Sequence, residues 1–272
     1  MKIIDANYEI EQIKKWIRHY FINNGGDFTK AVIGISGGKD STVAAKLLCE
    51  ALGPSMVVCV MLPCGEQADI ADSRRVIEGL HIPPENIWTL NIQNAVNACL
   101  DTIGGQRNNT MITTNTPARI RMIMLYQVAA IVGGRVCNTS NASEAYIGYC
   151  TKYGDLAGDF ALLQHLYVRD VIAIGHALGL PKDLVEKTPT DGMCGSTDED
   201  RLGFTYADLD AYLIDGITPE YFDLRLIEDM HKRSEHKRNT INLPRPGWAE
   251  SRHEEEEEWN PVKRGLRPYM VF

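Results

Sequence analysis

Residues 31–41, AVIGISGGKDS, constrain the fold of this chain more than any other stretch. An apolar run from Ala31 to Ile35 enters a glycine pair, and Val43, Ala44, Leu47, Leu48 and Ala51 then recur at helical spacing until Gly53-Pro54. Strand, small-residue turn and helix N-terminus, in that order, offer backbone N–H groups and the positive end of a helix dipole to an anion. The turn is not a Walker loop. Only three residues separate Gly34 from Gly38, and Lys39 is followed by Asp40. A carboxylate beside a phosphate is repulsive unless a cation lies between them, so Asp40 points to a loop that holds pyrophosphate together with Mg²⁺. The plainer alternative is a turn that needs small residues, with Asp40 and Ser41 as helix caps.

A chain of 272 residues is long enough for one large α/β domain with a substantial core. Its net charge of −8 argues against a general nucleic-acid binder, which carries a basic surplus. The seven cysteines are odd in number, scattered and free of any C-x-x-C pair, which fits reduced thiols in a cytosolic protein better than disulfides or zinc. The N-terminus has no apolar signal core, and no stretch approaches the ~18 apolar residues of a membrane span. A cytoplasmic protein without membrane or nucleic-acid partners is expected.

Residues 8–22 read as an amphipathic helix carrying Ile10, Ile13, Trp16, Ile17 and Tyr20. Apolar runs at 56–62 and 87–92 bracket helical spacing from Ala68 to Leu80. Strands alternating with helices predict a Rossmann-like, doubly wound parallel sheet flanked by helices, with ligands at the carboxyl ends of the strands. Residues 102–116 read as a loop, and Thr116-Pro117 as the start of a helix burying Ile120, Ile123, Met124, Val128 and Ile131. Arg119 and Arg121 then fall in its early turns, where the dipole disfavours cations, so at least one should answer an anion or carboxylate.

A short strand at 136–139 runs into a segment dense in Thr, Ser, Asn, Glu, Lys and Asp up to Phe160. Glu144 is a candidate second ligand for the cation near Asp40, because Mg²⁺ takes one or two carboxylates plus phosphate oxygens. Lys152 is a candidate point charge for a phosphate or carboxylate. Residues 188–205 lack a clear period and read as a long loop, favoured as a lid. A helix from Thr218-Pro219 ends in the basic group Lys232, Arg233, His236, Lys237 and Arg238, with helical additions thus closing the fold. The run Glu254 to Glu258 reads as a solvated acidic tail within 245–272.

SGGKDS resembles the S-G-G-x-D-S pyrophosphate loop of the ATP pyrophosphatase superfamily. The blocks TPARIRM, TSNASE, TKYGDLAGD, KTPTDG, TDEDRLGFTY and SEHKR, in that order, narrow the resemblance to the ammonia-dependent NAD synthetases. It covers residues 31 to 238 and implies one synthetase domain over 1–272 (core about 25–240) without a glutaminase domain. It also implies a homodimer that converts deamido-NAD, ATP and ammonia into NAD, AMP and pyrophosphate with Mg²⁺. By the same resemblance, ATP contacts come from Gly34, Ile35, Ser36, Gly37, Gly38, Lys39, Asp40, Ser41, Thr139 and Thr190. Metal ligation falls to Asp40 and Glu144, and deamido-NAD contacts to Arg119, Lys152, Asp159, His236 and Lys237. One position departs. Nine residues after Asp159, where relatives carry a lysine that touches ATP, stands Val168, with Arg169 beside it as a substitute charge.

These residue types suit adenylation followed by amidation. Carboxylate attack on the α-phosphate joins two anions and expels a third, so the loop N–H groups, Lys152 and a cation on Asp40 and Glu144 would lower its cost. Asp40, Lys152 and Asp159 are the expected catalytic set, with Asp159 holding ammonium or accepting its proton. A GMP synthetase-like or tRNA-modifying acceptor would replace TKYGD or add a basic face. An ATP-binding sensor would have little need for two metal carboxylates.

Overall fold

The computed structural model describes residues 4–66, 70–187 and 197–239. Five parallel strands, β1 (Ala31–Gly34), β2 (Val57–Met61), β3 (Ile87–Thr89), β4 (Arg135–Asn138) and β5 (Phe160–Ala161), form one sheet in the order β3-β2-β1-β4-β5. The chain winds outward from β1 through β2 to β3, then returns to the other side of β1 for β4 and β5. The direction of winding therefore reverses between β1 and β4, where doubly wound sheets open a ligand crevice.

Side-chain alternation along the strands builds two cores. Ala31, Ile33, Val57, Cys59, Met61 and Cys137 face one side, with α1 (Ala6–Asn24), α2 (Lys39–Leu52), α3 (Ile70–Gly79) and α7 (Val168–Ala177). Val32, Val58, Val60 and Val136 face the other, against α4 (Gln93–Thr102) and α5 (Thr110–Val132). Strands covered on both faces read as near-continuous apolar runs, and β1 and β2 do. A third cluster gathers Ile147 of α6 (Ala142–Ile147), Val168, and residues of α9 (Asp198–Leu202), α10 (Tyr206–Asp210) and α11 (Tyr221–Arg233), the helical addition expected at the C-terminal end. The short α8 (Lys182–Val185) and α12 (Glu235–Arg238) complete the described α-helices.

Several sequence expectations need correction. Helix α5 begins at Thr110, capped by Asn109 whose side chain accepts the Ile112 N–H, so Pro117 lies inside it. Arg119 and Arg121 are thus mid-helix, where the dipole argument does not apply. Arg119 Nε donates to the Lys152 carbonyl at 3.3 Å and Arg121 Nε to that of Leu62 at 3.1 Å. The buried stripe of α5 runs through Ile120 and Val128, with Met124 partly buried between them. Ile123 and Ile131 are 42% and 68% exposed. On α1, Ile10, Ile13, Ile17 and Phe21 are buried, while Trp16 lies at the rim and stacks on Tyr20 at 5.3 Å. The stretch read as one loop over 188–205 contains α9, opened by a capping box between Thr197 and Asp200. Helix α11 ends at Arg233, so His236, Lys237 and Arg238 belong to the separate turn α12.

All six described cysteines are free, and burial pushes the Cys49 thiol up to about 12. Among the described residues no helix is long and apolar enough to cross a membrane. Residues 188–196 of the stretch expected to be a lid, Thr190 among them, and the acidic run lie outside the described residues.

Candidate active site

The loop after β1 is held by its own serines. Ser36 Oγ lies 3.1 Å from Ser41 Oγ and accepts the Gly38 N–H at 3.2 Å, while Ser41 and Thr42 hydroxyls donate to the Gly38 carbonyl. Gly37 has φ +82°, and a Cβ there would meet Asp72 Cβ at 2.8 Å and the Ser73 nitrogen at 2.9 Å. Only glycine fits that turn. Gly38 caps α2 with no side-chain acceptor, which leaves the first N–H groups of α2 open to an anion.

Across the crevice, β4 ends at Asn138, and Thr139 and Ser140 lead to Asn141, the N-cap of α6. Asn141 is fully buried, and three of its hydrogen bonds join the two carboxylates. Its Oδ1 accepts the Glu144 N–H at 3.0 Å, its backbone N–H donates to Glu144 Oε2 at 3.4 Å, and its Nδ2 donates to Asp40 Oδ1 at 3.0 Å. The two carboxylates chosen from sequence are therefore brought to one place by a residue that sequence reasoning passed over. Burial, then the charge of Asp40, pushes the Glu144 carboxyl up to about 8.

Lys39 is only 3% exposed, and its ammonium lies 2.9 Å from Asp40 Oδ2 and 5.8 Å from the Tyr206 ring centroid. Burial opposes its charge, but Asp40 and Glu144 more than offset that and hold it above the usual lysine range. Tyr206 is buried on α10 and its phenol is raised by burial, then by Glu144 and Asp198. Asp198, at the start of α9, accepts from the Tyr149 hydroxyl at 3.2 Å. The D-E-x-x-L-G-x-x-Y block thus supplies the wall above the loop.

Val168 is 7% exposed and packs in the same cluster as Tyr206, Leu202 and Leu209. Arg169 does not stand in for a lysine there: its guanidinium pairs with Asp215 at 2.6 Å, and its N–H donates to Asp210 at 2.8 Å. Asp210 also accepts from Ser143, whose hydroxyl in turn accepts the Val168 N–H at 3.0 Å, so the start of α7 is tied to α6.

The expected substrate residues divide into two groups. Lys152, His236 and Lys237 come together. Lys152 Nζ donates to the His236 carbonyl, and Lys237 Nζ to those of Gly148 and Cys150 at 2.7 and 2.8 Å. Arg238 adds bonds to Ala145, Tyr146 and His231 carbonyls. Asp159 lies elsewhere: its Oδ2 accepts the Val136 N–H at 2.7 Å, two residues before β4 ends, and its carbonyl accepts from Tyr20. The charge of Asp155, in the same motif, is one of those raising Glu144. The Asp155 carboxylate accepts the Thr151 N–H at 2.8 Å in a partly buried setting, although the residue as a whole is exposed. Burial among neighbouring atoms nevertheless raises its carboxyl, with the Thr151 N–H partly offsetting. A cavity of about 860 Å³ between α1 and residues 161–165 includes Trp16, Tyr20 and His165 in its wall but none of the loop residues 34–41.

Do these residues suit Mg²⁺? Among the described residues no group of three or more His, Cys, Asp or Glu side chains forms a metal cage. Two hard carboxylates near the uncapped N-terminus of α2 match how Mg²⁺ is bound, with few protein ligands and the rest from substrate and water. The mutual repulsion of Asp40 and Glu144 suits a divalent cation, and the buried polar atoms without hydrogen-bond partners among the described residues, Lys39 Nζ and Tyr206 Oη, suit a polar or anionic group beside it.

A doubly wound sheet with a glycine-serine anion loop and two carboxylates at its switch point defines a nucleotide-dependent α/β enzyme class. The NAD synthase family model matches residues 9–241, and the chain belongs to that family. It is 37% identical to an NH(3)-dependent NAD(+) synthetase of Thermococcus kodakarensis, over 88% of this chain and 97% of that protein. Its structure superimposes on an NMN synthetase from Francisella tularensis with a TM-score of 0.80 and 34% identity, covering 89% of this chain and all of the other. An NH3-dependent NAD synthetase from Campylobacter jejuni gives 0.71 and 25%, again over 89% and 100%.

Proposed function

We propose that this chain makes NAD from deamido-NAD, ATP and ammonia, with AMP and pyrophosphate as co-products. The observation that carries the reading is the Asn141 bridge, which sets Asp40 beside Glu144 at the mouth of an anion-binding loop. Family membership supports ATP as the co-substrate. Asp40 and Glu144 would hold Mg²⁺, which when bound offsets phosphate charge and favours departure of pyrophosphate.

In the first step an oxygen of the nicotinate carboxylate bonds to the α-phosphorus of ATP, and the bond to pyrophosphate breaks. The first N–H groups of α2, which no side chain caps, and the Lys39 ammonium stabilise the charge on the departing anion. In the second step ammonia bonds to the acyl carbon, AMP leaves with the carboxylate oxygen, and the nitrogen sheds a proton. Asp155, whose charge acts on Glu144, is the stronger candidate to take that proton, since the Asp159 carboxylate is held by the Val136 N–H at the start of β4. Water competes with ammonia for the adenylate, so closure of 188–205 over the crevice would serve the reaction. A homodimer in the cytoplasm belongs to the same reading.

The likeness to an NMN synthetase favours a second acceptor, the nicotinate mononucleotide, with unchanged chemistry. Purified protein with ATP, Mg²⁺ and ammonium, given each acceptor in turn, tests both readings. The expected result is NAD and pyrophosphate in equal amounts, with a kcat/KM for deamido-NAD at least about tenfold above that for the mononucleotide. Preference for the mononucleotide would move the chain to the second reading, and pyrophosphate without either amide would refute both.

A further inference from the structure

Among the described residues two buried side-chain polar atoms lack a hydrogen-bond partner, Lys39 Nζ and Tyr206 Oη, and the Lys39 ammonium lies 5.8 Å from the Tyr206 ring centroid. Lys39 is the first residue of α2. A cation there faces the positive end of the helix dipole and is buried, so two effects oppose it. What holds it is charge: Asp40 Oδ2 at 2.9 Å, with Glu144 close by. An ammonium has three donors, and the ion pair with Asp40 is not aligned as a hydrogen bond. Asp198 adds a further negative charge around it, whereas Val168 packs with Tyr206 in an apolar cluster and supplies no competing cation.

We infer that Lys39 is a placeholder cation: it occupies Asp40 when no metal is bound, and gives up that carboxylate to the metal once a nucleotide phosphate can receive the ammonium. The inference rests on the reading of Asp40 and Glu144 as metal ligands. It follows that metal alone and Lys39 compete for one oxygen, so metal alone binds weakly. ATP supplies the anion that accepts the released ammonium, so metal and ATP bind cooperatively. That coupling is reciprocal by linkage. The same lysine therefore weakens one equilibrium and strengthens another, a signature that a residue with a merely structural role does not produce.

The test is Mn²⁺ binding to the full chain, read from the free-ion electron paramagnetic resonance signal, alone and with ATP but no acceptor, corrected for chelation by ATP itself. In Lys39→Gln, Mn²⁺ alone should bind about tenfold tighter, and the enhancement by ATP should fall by about tenfold. Lys39→Met provides a second neutral variant, and circular dichroism checks the fold of each. Unchanged or weaker binding of Mn²⁺ alone in the folded variants, with wild-type binding lost in Asp40→Asn, overturns the inference and leaves the metal reading standing. No binding to the wild-type protein, with or without ATP, overturns both.

Discussion

Asn141 Nδ2 donates to Asp40 Oδ1 at 3.0 Å across 101 residues of sequence, joining the N-terminus of α2 to that of α6. One side chain thereby caps a helix, orients a carboxylate and fixes the width of the crevice at the switch point. Asn141→Ala should cost about 1–2 kcal/mol for the lost cap and the unpaired groups. It should also raise the metal requirement and lower kcat/KM by about tenfold or more. Thermal unfolding and Mg²⁺-dependent kinetics check both; a variant with lowered melting temperature but wild-type metal dependence would reduce Asn141 to a cap.

Glu144 gives the metal-free protein a definite pH dependence. Its folded carboxyl titrates at about 8, against an ordinary value of 4.5, so the native state holds a proton that the unfolded chain has lost between these values. Stability contributed by the protonated group is complete below pH 4.5 and is lost as pH rises toward 8. In EDTA the melting temperature should fall over that window, and Glu144→Gln should flatten the fall while abolishing activity. Equal slopes for the two proteins would contradict this.

Gly37→Ala forces a Cβ into Asp72 and the Ser73 nitrogen at a φ of +82°. The loop must shift, at a cost of about 1–3 kcal/mol, and its N–H groups lose their aim. Activity should drop at least about 100-fold, mostly in kcat, as expected when preorganised donors for a developing charge are displaced. Steady-state kinetics beside a melting curve separates the two effects.

Arg238 binds the carbonyls of Ala145, Tyr146 and His231 and so clasps the end of α6 to the end of α11. Charged hydrogen bonds of this kind contribute about 1.5–3 kcal/mol each at most, and they are shared here. Arg238→Gln should therefore lower stability by about 2 kcal/mol and speed amide exchange over 145–152. Exchange changes confined to α11 would contradict the clasp.

How much of this was legible in the sequence depended on distance along the chain. The 31–41 loop and both carboxylates were readable because strand, glycine turn and helix are local features, and burial on both faces left β1 and β2 as apolar runs. The early start of α5 was not, because residues 110–116 are weak helix formers carried by tertiary contacts, among them the Thr151 hydroxyl on Asn115 at 2.7 Å. Asn141 could have been read as a cap from the Asn-x-x-Glu spacing, yet its contact with Asp40 exists only after folding. Helix α9 carries its own Thr-x-x-Asp capping signal, but its five residues are too few to show a helical period. The departure at Val168 was visible as a letter, but its burial beside Tyr206 and the pairing of Arg169 with Asp215 were not.

Oxygen transfer tests the central claim most directly. Deamido-NAD carrying ¹⁸O in both oxygens of its nicotinate carboxylate is converted with ATP, Mg²⁺ and ammonium, and AMP and pyrophosphate are weighed by mass spectrometry. An acyl-adenylate requires one ¹⁸O in AMP for every NAD formed and none in pyrophosphate. Unlabelled AMP, or label in pyrophosphate, would contradict attack of the carboxylate on the α-phosphate and with it the assigned reaction.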